Sequence, residues 1–179
     1  MARSQHVCLK CNGCQETCCM LGVVLCYEDI RKIMDQGYDP EDFCELEEWD
    51  DEDLEGYEDW WKDSMVEIDG KKYKIYIRLR ENDHCYFLED KKGCVLEERP
   101  LQCRIYPFWV KKGEIIYDMD DDDFCYFNRN KASIEEGMNL IGETDKSIKD
   151  YFERIKKSCK EDKEEYEKLA KSLFEAKDL

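Results

Sequence analysis

Five cysteines within twelve residues constrain this chain more than any other feature. Two residues separate Cys8 from Cys11 and Cys11 from Cys14, three separate Cys14 from Cys18, and Cys19 follows directly. Adjacent cysteines bridge each other only with strain, and Cys-x2-Cys loops are more often metal ligands or redox pairs than structural disulfides. Thiolates favour zinc, cuprous copper and iron–sulfur clusters. The stretch therefore predicts a loop that ligates a soft metal, with a set of oxidised pairs as the alternative.

The size and cysteine content of the chain favour a reducing compartment. The chain has 179 residues and 12 cysteines, which suits one domain with a small appendage and leaves no need for disulfides as staples. The first residues lack the apolar core of a secretory signal. No run approaches the ~20 apolar residues that a membrane-spanning helix needs. We therefore expect a cytoplasmic protein without a membrane partner, in which thiols stay reduced.

The formal net charge of −17 limits the partners of the protein. Phosphate would be repelled by such a surface, so no nucleic-acid partner is expected. Acidic residues are densest in an excursion over residues 39–63, which also holds Trp49, Trp60 and Trp61. Most of this excursion is expected to be a solvated face whose tryptophans pin it to the core. The sharper alternative is a docking surface for a basic protein.

Periodicity predicts short strands and helices. A buried strand is expected over Met20–Cys26, and a helix over Glu28–Gln36. Asp39 and Pro40 predict the start of another short helix, whose apolar side would hold Phe43, Leu46 and Trp49. Alternation around Asp69-Gly70 predicts a β-hairpin over residues 66–80, and a second hairpin is expected over residues 109–117.

The C-terminal residues predict helix. Apolar residues recur with 4–3 spacing from Ile148 to Leu173, with a break at Asp162. Thr144 is the expected N-cap, and Ser158 with Glu161 predicts a capping box that restarts the helix. We expect this segment to pack on the core or to form a homodimer by pairing with a second copy.

A second group of cysteines lies further along the chain. Cys85, Cys94 and Cys103 are each separated by eight residues, and Cys125 follows five aspartates. This spacing places the thiols on successive short elements rather than on one loop. The aspartate run lacks the glycine and the distal glutamate of an EF-hand loop, so calcium binding is not expected.

The two cysteine groups together resemble a known family, the CxxCxxCC or YkgJ-like zinc- or iron-chelating domain. The resemblance rests on Cys11-x2-Cys14-x3-Cys18-Cys19, Val23-Val-Leu, Asp29-Ile30, Cys85-Tyr-Phe-Leu, Cys94, Arg99-Pro-x2-Cys103-Arg-x-Tyr-Pro-Phe108 and Cys125. It covers roughly residues 8–130. Cys8, the long acidic excursion and the helical tail depart from the pattern. The family also resembles part of the flagellin lysine N-methylases, which implies a link to methyl transfer.

Nine cysteines are candidate metal ligands: Cys8, Cys11, Cys14, Cys18, Cys19, Cys85, Cys94, Cys103 and Cys125. The first spacing copies a ferredoxin run, no second Cys-x2-Cys pair exists for a zinc knuckle, and nine thiols exceed one zinc site. An iron–sulfur cluster, or two, is therefore favoured over zinc. Arg99 and Arg104 flank Cys103 and are expected to offset cluster charge or donate to sulfur. Cys26, Cys44 and Cys159 are expected to be buried hydrophobes.

We therefore predict an α+β fold, in which short β-hairpins and helices surround a cysteine-ligated metal centre. Residues 1–132 would form the metal-binding domain and residues 133–179 a helical appendage. The favoured function is an iron–sulfur protein that does redox work, delivers metal or sulfur, or supports a protein modification. A zinc-stabilised interaction module and a protein methylase that uses S-adenosylmethionine are the alternatives. No catalytic residue is identified.

Overall fold

The computed structural model describes residues 18–20, 22–55, 57–89, 92–117 and 133–177. A 3-10 turn spans Cys18–Met20. The helices are α1 (Tyr27–Met34), α2 (Pro40–Phe43), α3 (Asp59–Lys62), α4 (Leu101–Ile105), α5 (Ile134–Ile141), α6 (Asp145–Glu161) and α7 (Lys163–Lys177). The strands are β1 (Cys44–Trp49), β2 (Val66–Ile68), β3 (Lys71–Ile77), β4 (Leu88–Glu89), β5 (Gly93–Cys94), β6 (Phe108–Lys111) and β7 (Glu114–Tyr117). The fold is α+β, as predicted.

The largest sheet has three antiparallel strands in the order β1-β3-β2. Asp69 and Gly70 have φ values of 52° and 77°, as a two-residue hairpin turn requires, so the predicted hairpin is confirmed. The segment expected as a strand over residues 20–26 forms only one bridge, between Val24 and Tyr76. Gly22 has a φ of +69° and Cys26 is already the N-cap of α1, so little extended chain remains between them.

Strand β1 lies where a helical apolar face was predicted. Asp39 caps α2 by accepting a hydrogen bond from the Glu41 amide at 3.0 Å, which confirms the predicted start. The helix ends at Phe43, and the prediction that it continues through Leu46 and Trp49 is wrong. Residues 44–49 form β1, and the whole of β1 pairs with β3, from Cys44 opposite Ile77 to Trp49 opposite Lys72. Pairing with the edge of β3 therefore makes residues 44–49 a strand and not a continuation of α2.

The C-terminal helices begin as predicted and break where predicted. Thr144 and Ser147 form a capping box at the start of α6, and Asp162 separates α6 from α7. The predicted restart by Ser158 and Glu161 is wrong. The Ser158 hydroxyl is buried, accepts a hydrogen bond from the Glu28 amide at 3.0 Å and donates to Asp162 at 2.7 Å. Ser158 therefore attaches α6 to α1.

Two hydrophobic clusters form the core, and the C-terminal helices contribute to both. One cluster joins the three-stranded sheet to Tyr166, Ala170 and Leu173 of α7. The other joins α4 and β6 to residues of α5 and α6. The tryptophans of the acidic excursion pack into the second cluster, where the Trp60 ring stacks on Trp109 at 6.4 Å. They pin the excursion to the core, in agreement with the first of the two interpretations.

Both faces of β3 are covered. Tyr73, Lys74 and Ile75 are all buried although they alternate between the two faces. The Lys74 ammonium lies 4.3 Å from the centroid of the Trp61 ring and donates to the Ser64 hydroxyl. Burial lowers the pKa of Lys74 from 10.5 to about 8.

The aspartate run over residues 118–123, with the expectation about calcium, lies outside the described residues. Within the described ranges, every helix is too short or too polar to cross a bilayer.

Candidate metal centre

The end of the first cysteine group meets the second group through the backbone. The Cys85 amide donates a hydrogen bond to the Cys19 carbonyl at 2.7 Å. Cys85 also forms an isolated bridge with Leu79, two residues after the end of β3. Two segments separated by more than sixty residues are therefore joined at their cysteines.

Cys94 and Cys103 reach the same region from two further elements. Cys94 lies in β5 and pairs with Leu88, and the Val95 amide donates to the Phe87 carbonyl at 2.9 Å. Cys103 lies in the middle of α4, whose N-cap is Pro100. The amide of Leu101 donates to the Asp29 carboxylate at 2.9 Å, so α1 fixes the start of α4.

The four thiols line one cavity. Cys19, Cys85, Cys94 and Cys103 all contribute to the lining of a cavity of about 240 Å³. Cys19 lies in the 3-10 turn, Cys94 in β5 and Cys103 in α4, whereas Cys85 forms an isolated bridge. The three cysteines that are spaced eight residues apart thus come from separate segments, as expected. The four side chains are half-buried, and no disulfide joins any two of the described cysteines. The cavity is therefore lined by reduced thiols.

Burial and neighbouring thiols disfavour ionisation of Cys85 and Cys103 in the absence of a cation. The pKa of Cys85 is raised to about 12, chiefly by burial; the Phe87 amide lowers it, and the neighbouring Cys19 and Cys94 thiols add to the rise. Burial also raises the pKa of Cys103 well above its ordinary value, and Cys85, Cys94 and Cys19 add to the effect. A bound metal cation would instead lower the pKa of these thiols, because the charge of the metal deprotonates a coordinating thiol.

The structure brings together four of the nine predicted ligands. Cys8, Cys11, Cys14 and Cys125 lie outside the described residues, and Cys18 is described only as the first residue of the 3-10 turn. Within the described part of the chain, no three His, Cys, Asp or Glu side chains are arranged so that they could hold a metal ion. The four described thiols thus face a shared space without closing a coordination shell among themselves.

The two arginines beside Cys103 occupy different surroundings. Arg99 lines the cavity. Arg104 lies 3.6 Å from the Glu143 carboxylate and its guanidinium is 4.3 Å from the centroid of the Tyr151 ring. Arg104 therefore joins α4 to α6, whereas Arg99 is placed beside the thiols.

Cys26, Cys44 and Cys159 pack into the core, as predicted. Cys44 is 1% exposed and belongs to the sheet cluster, and Cys26 is buried and donates to Asp29 at 3.3 Å. Cys159 packs against the second cluster. Burial raises the pKa of all three thiols.

Sequence reasoning missed the aromatic part of the cavity lining. Trp49, Tyr57, Trp61 and Trp109 line the same cavity as the four thiols. The signal was present in the tryptophans of the acidic excursion and of the second hairpin, but their meeting depends on long-range packing. Sequence reasoning also missed that Asp29 anchors α4, although Asp29 belongs to the quoted family pattern.

The donor set fits a soft metal. Four cysteine thiols line the cavity, and none of the described residues that line it is a carboxylate. This donor set suits zinc or iron–sulfur ligation and not magnesium or calcium, which take oxygen. The hydrogen bond from the Cys85 amide to the Cys19 carbonyl joins the last residue of the first cysteine group to this set.

The comparison with protein families agrees with this chemistry. A family model, CxxCxxCC, described as "Putative zinc- or iron-chelating domain", matches residues 10–173. No curated protein and no solved structure matches the chain. The match extends past residue 130, where the resemblance was expected to end, and includes the C-terminal helices that complete both hydrophobic clusters. The family description supports metal binding, and the chain belongs to the CxxCxxCC family.

Proposed function

We propose that the protein holds an iron–sulfur cluster and uses it for redox work, for delivery of metal or sulfur, or in support of a protein modification. The observation that carries the proposal is the convergence of Cys19, Cys85, Cys94 and Cys103 on one cavity of about 240 Å³. The first cysteine group adds thiols at ferredoxin-like spacing beside Cys19. Such a thiol set exceeds the four donors of a closed zinc site.

Arg99 supports a redox role for this centre. Its side chain belongs to the lining that contains the four thiols. A guanidinium at this place offsets the negative charge of a thiolate-ligated cluster and raises its reduction potential. Because the role requires reduced thiols, we place the protein in the cytoplasm.

The test of this proposal is the metal and acid-labile sulfide content of protein purified without oxygen, with its visible spectrum. Iron and sulfide in equal amounts, at roughly four per chain, with visible absorption are the expected result. About one zinc per chain and no sulfide would contradict the proposal.

A zinc-stabilised interaction module is the second candidate, and the acidic surface favours it. Glu47 is exposed on β1, where partial burial and then the neighbouring Asp53 and Glu45 raise its pKa. A basic partner would relieve this repulsion between carboxylates. A colourless protein that contains zinc, unfolds with a chelator and binds a basic protein would support this candidate.

A further inference from the structure

Strand β1 lies at one edge of the three-stranded sheet. Among the described strands it pairs with β3 alone, over its full length of six residues. Helix α7 contacts all three strands, which places it across a face of the sheet and not along this edge. The strand at the opposite edge, β2, has three residues, and β3 also bridges Val24 on that side. The outer side of β1 is therefore the longer open edge of this sheet.

The backbone of β1 presents hydrogen-bonding groups along this edge. In an antiparallel ladder, residues bonded to the neighbouring strand alternate with residues whose amide and carbonyl point away from it. The Phe43 carbonyl accepts from the Arg78 amide at 2.8 Å, so Cys44, Leu46 and Glu48 point away from β3. The Arg78 side chain donates to the Cys44 carbonyl at 3.1 Å. Among the described residues, none bonds to the outward amides and carbonyls of Leu46 and Glu48.

The exposed side chain of Glu47 beside this edge is an acid without a cation. Glu47 lies opposite Lys74 of β3, but the Lys74 ammonium donates to the Ser64 hydroxyl and lies over the Trp61 ring. The described lysines of β3 that form ion pairs reach other carboxylates. Partial burial and then two neighbouring carboxylates raise the pKa of Glu47. A cation brought to this place would therefore be stabilised.

A second copy of this chain does not suit the open edge. Antiparallel pairing of two β1 edges would bring the glutamates of one copy opposite those of the other, and like charges directly opposite each other destabilise a sheet. The net charge of −17 adds repulsion between the two copies. The acidic side chains thus prevent self-pairing of an open edge, whereas a basic strand would be attracted to it.

We propose that the outer edge of β1 binds an extended basic segment of another protein, which adds a fourth strand to the sheet. The backbone of that segment bonds to the amides and carbonyls of Leu46 and Glu48, as in β-strand addition. Its Lys or Arg side chains, at alternate positions, face Glu45 and Glu47, which share one face of β1. This binding mode rests on the basic partner of the second candidate function and not on the identity of the metal. Metal analysis and peptide binding are separate measurements, so each can fail without the other.

The first test measures peptide binding to the full chain with its bound metal by fluorescence anisotropy. The probe is a short, end-capped, dye-labelled peptide in which lysine alternates with threonine, and the charge control carries glutamate in place of lysine. Two further versions of the probe are N-methylated, one at the lysine amides and the other at the threonine amides. Alternate amides of an added strand face the edge. One methylated peptide should therefore bind like the parent and the other about tenfold more weakly. No binding of the parent, binding of the glutamate peptide, or equal affinities of the two methylated peptides would overturn the proposal.

Two replacements of Glu48 separate the backbone contact from the charge. Glu48→Pro removes an outward amide and keeps the ladder to β3, in which this amide takes no part. Glu48→Gln keeps the amide and removes the same charge. The lysine peptide should bind Glu48→Pro about tenfold more weakly than Glu48→Gln, and equal affinities would overturn the assignment of the edge. If Glu48→Pro does not fold, the methylated peptides test the same contact on the wild type.

The variant Glu47→Gln tests the charge beside the edge. It should weaken binding of the lysine peptide about threefold, the effect of one cross-strand ion pair. The matched control is Glu67→Gln. Glu67 is exposed on β2, at the opposite edge of the sheet, and its replacement should leave the affinity unchanged. Equal losses in both variants would show general attraction between opposite charges and would overturn binding at β1.

Discussion

Two sets of cysteines share the interior of this protein and differ in their neighbours. Cys19, Cys85, Cys94 and Cys103 line one cavity, and the thiols of the set raise the pKa values of Cys85 and Cys103. Cys44 instead packs among aliphatic and aromatic side chains of the sheet cluster. Cys26 is satisfied by the Asp29 carboxylate at 3.3 Å.

Burial alone therefore does not distinguish a candidate metal ligand from a thiol that packs in the core. Burial raises the pKa in both sets, to about 12 for Cys85 and for Cys44 alike. The two sets differ in their neighbours. Several thiols surround an open cavity in one set, whereas apolar side chains fill the space around the thiols of the other. Replacements in the first set should therefore change metal content, whereas those in the core should change stability.

The largest expected effect on stability comes from Phe152→Ala in the packed region. Phe152 is 3% exposed, and its ring meets Trp109 edge-on at 4.9 Å. Its removal leaves a cavity, so the free energy of unfolding should fall by about 3–5 kcal/mol. Denaturant unfolding measures the loss. Leu140→Ala, at a side chain that is 37% exposed, is the control and should change stability by less than about 0.5 kcal/mol. Loss of metal in folded Phe152→Ala protein would break the distinction between the two regions.

Asp29→Asn should remove a pH dependence of stability. Burial, as the largest cause, raises the pKa of Asp29 from 3.8 to about 6. The folded protein therefore holds this proton more tightly than the unfolded chain, and stability decreases as pH rises through the window from 3.8 to about 6. The decrease is about 3 kcal/mol, because one pKa unit corresponds to ~1.4 kcal/mol.

The measurement is denaturant unfolding of wild type and Asp29→Asn at several pH values between 4 and 7. The asparagine oxygen can still accept from the Leu101 amide, but the side chain has no proton to release. Relative to the variant, the wild type should lose stability as pH rises. Parallel stability curves for the two proteins would show that Asp29 titrates normally.

Cys44→Ser tests whether a thiol packed in the core contributes to stability and not to metal binding. A hydroxyl in the apolar sheet cluster lacks a hydrogen-bond partner, so the variant should lose about 1–3 kcal/mol of stability. Its bound metal should stay at the wild-type level. Unfolding and metal analysis on the same preparation check both statements. A colourless or metal-free variant that is still folded would place Cys44 among the ligands.

Arg104→Gln should have the smallest effect. Arg104 lies 3.6 Å from Glu143, and its guanidinium is 4.3 Å from the centroid of the Tyr151 ring. The Arg104 side chain is 30% exposed and that of Glu143 is 9% exposed, but the long separation makes the ion pair weak, so its loss should cost about 1 kcal/mol. Arg99→Gln is the matched replacement inside the cavity lining. The reduction potential of the bound centre should fall in Arg99→Gln and stay unchanged in Arg104→Gln. Equal shifts in both variants would give the two arginines the same role, as the sequence alone suggested.

Local signals predicted much of the fold. The turn at Asp69-Gly70, the cap at Asp39, the capping residue Thr144 and the break at Asp162 depend on a few neighbouring residues, and the structure confirms each. Strand β1 could not be predicted in this way, because its pairing with β3 spans some thirty residues.

The candidate site could be predicted in composition but not in arrangement. Spacing indicated that Cys85, Cys94 and Cys103 lie on separate elements, and the structure places them so. Their meeting with Cys19 depends on one long-range backbone hydrogen bond at Cys85.

The most direct test of the central claim is the metal content of Cys103→Ala beside that of Cys44→Ala. Both variants remove a thiol, and neither adds a polar atom. We expect Cys103→Ala to lose bound metal and its visible absorption, whereas Cys44→Ala should keep both. Retention of metal by both variants, or loss by both, would contradict the assignment of the cavity thiols as ligands.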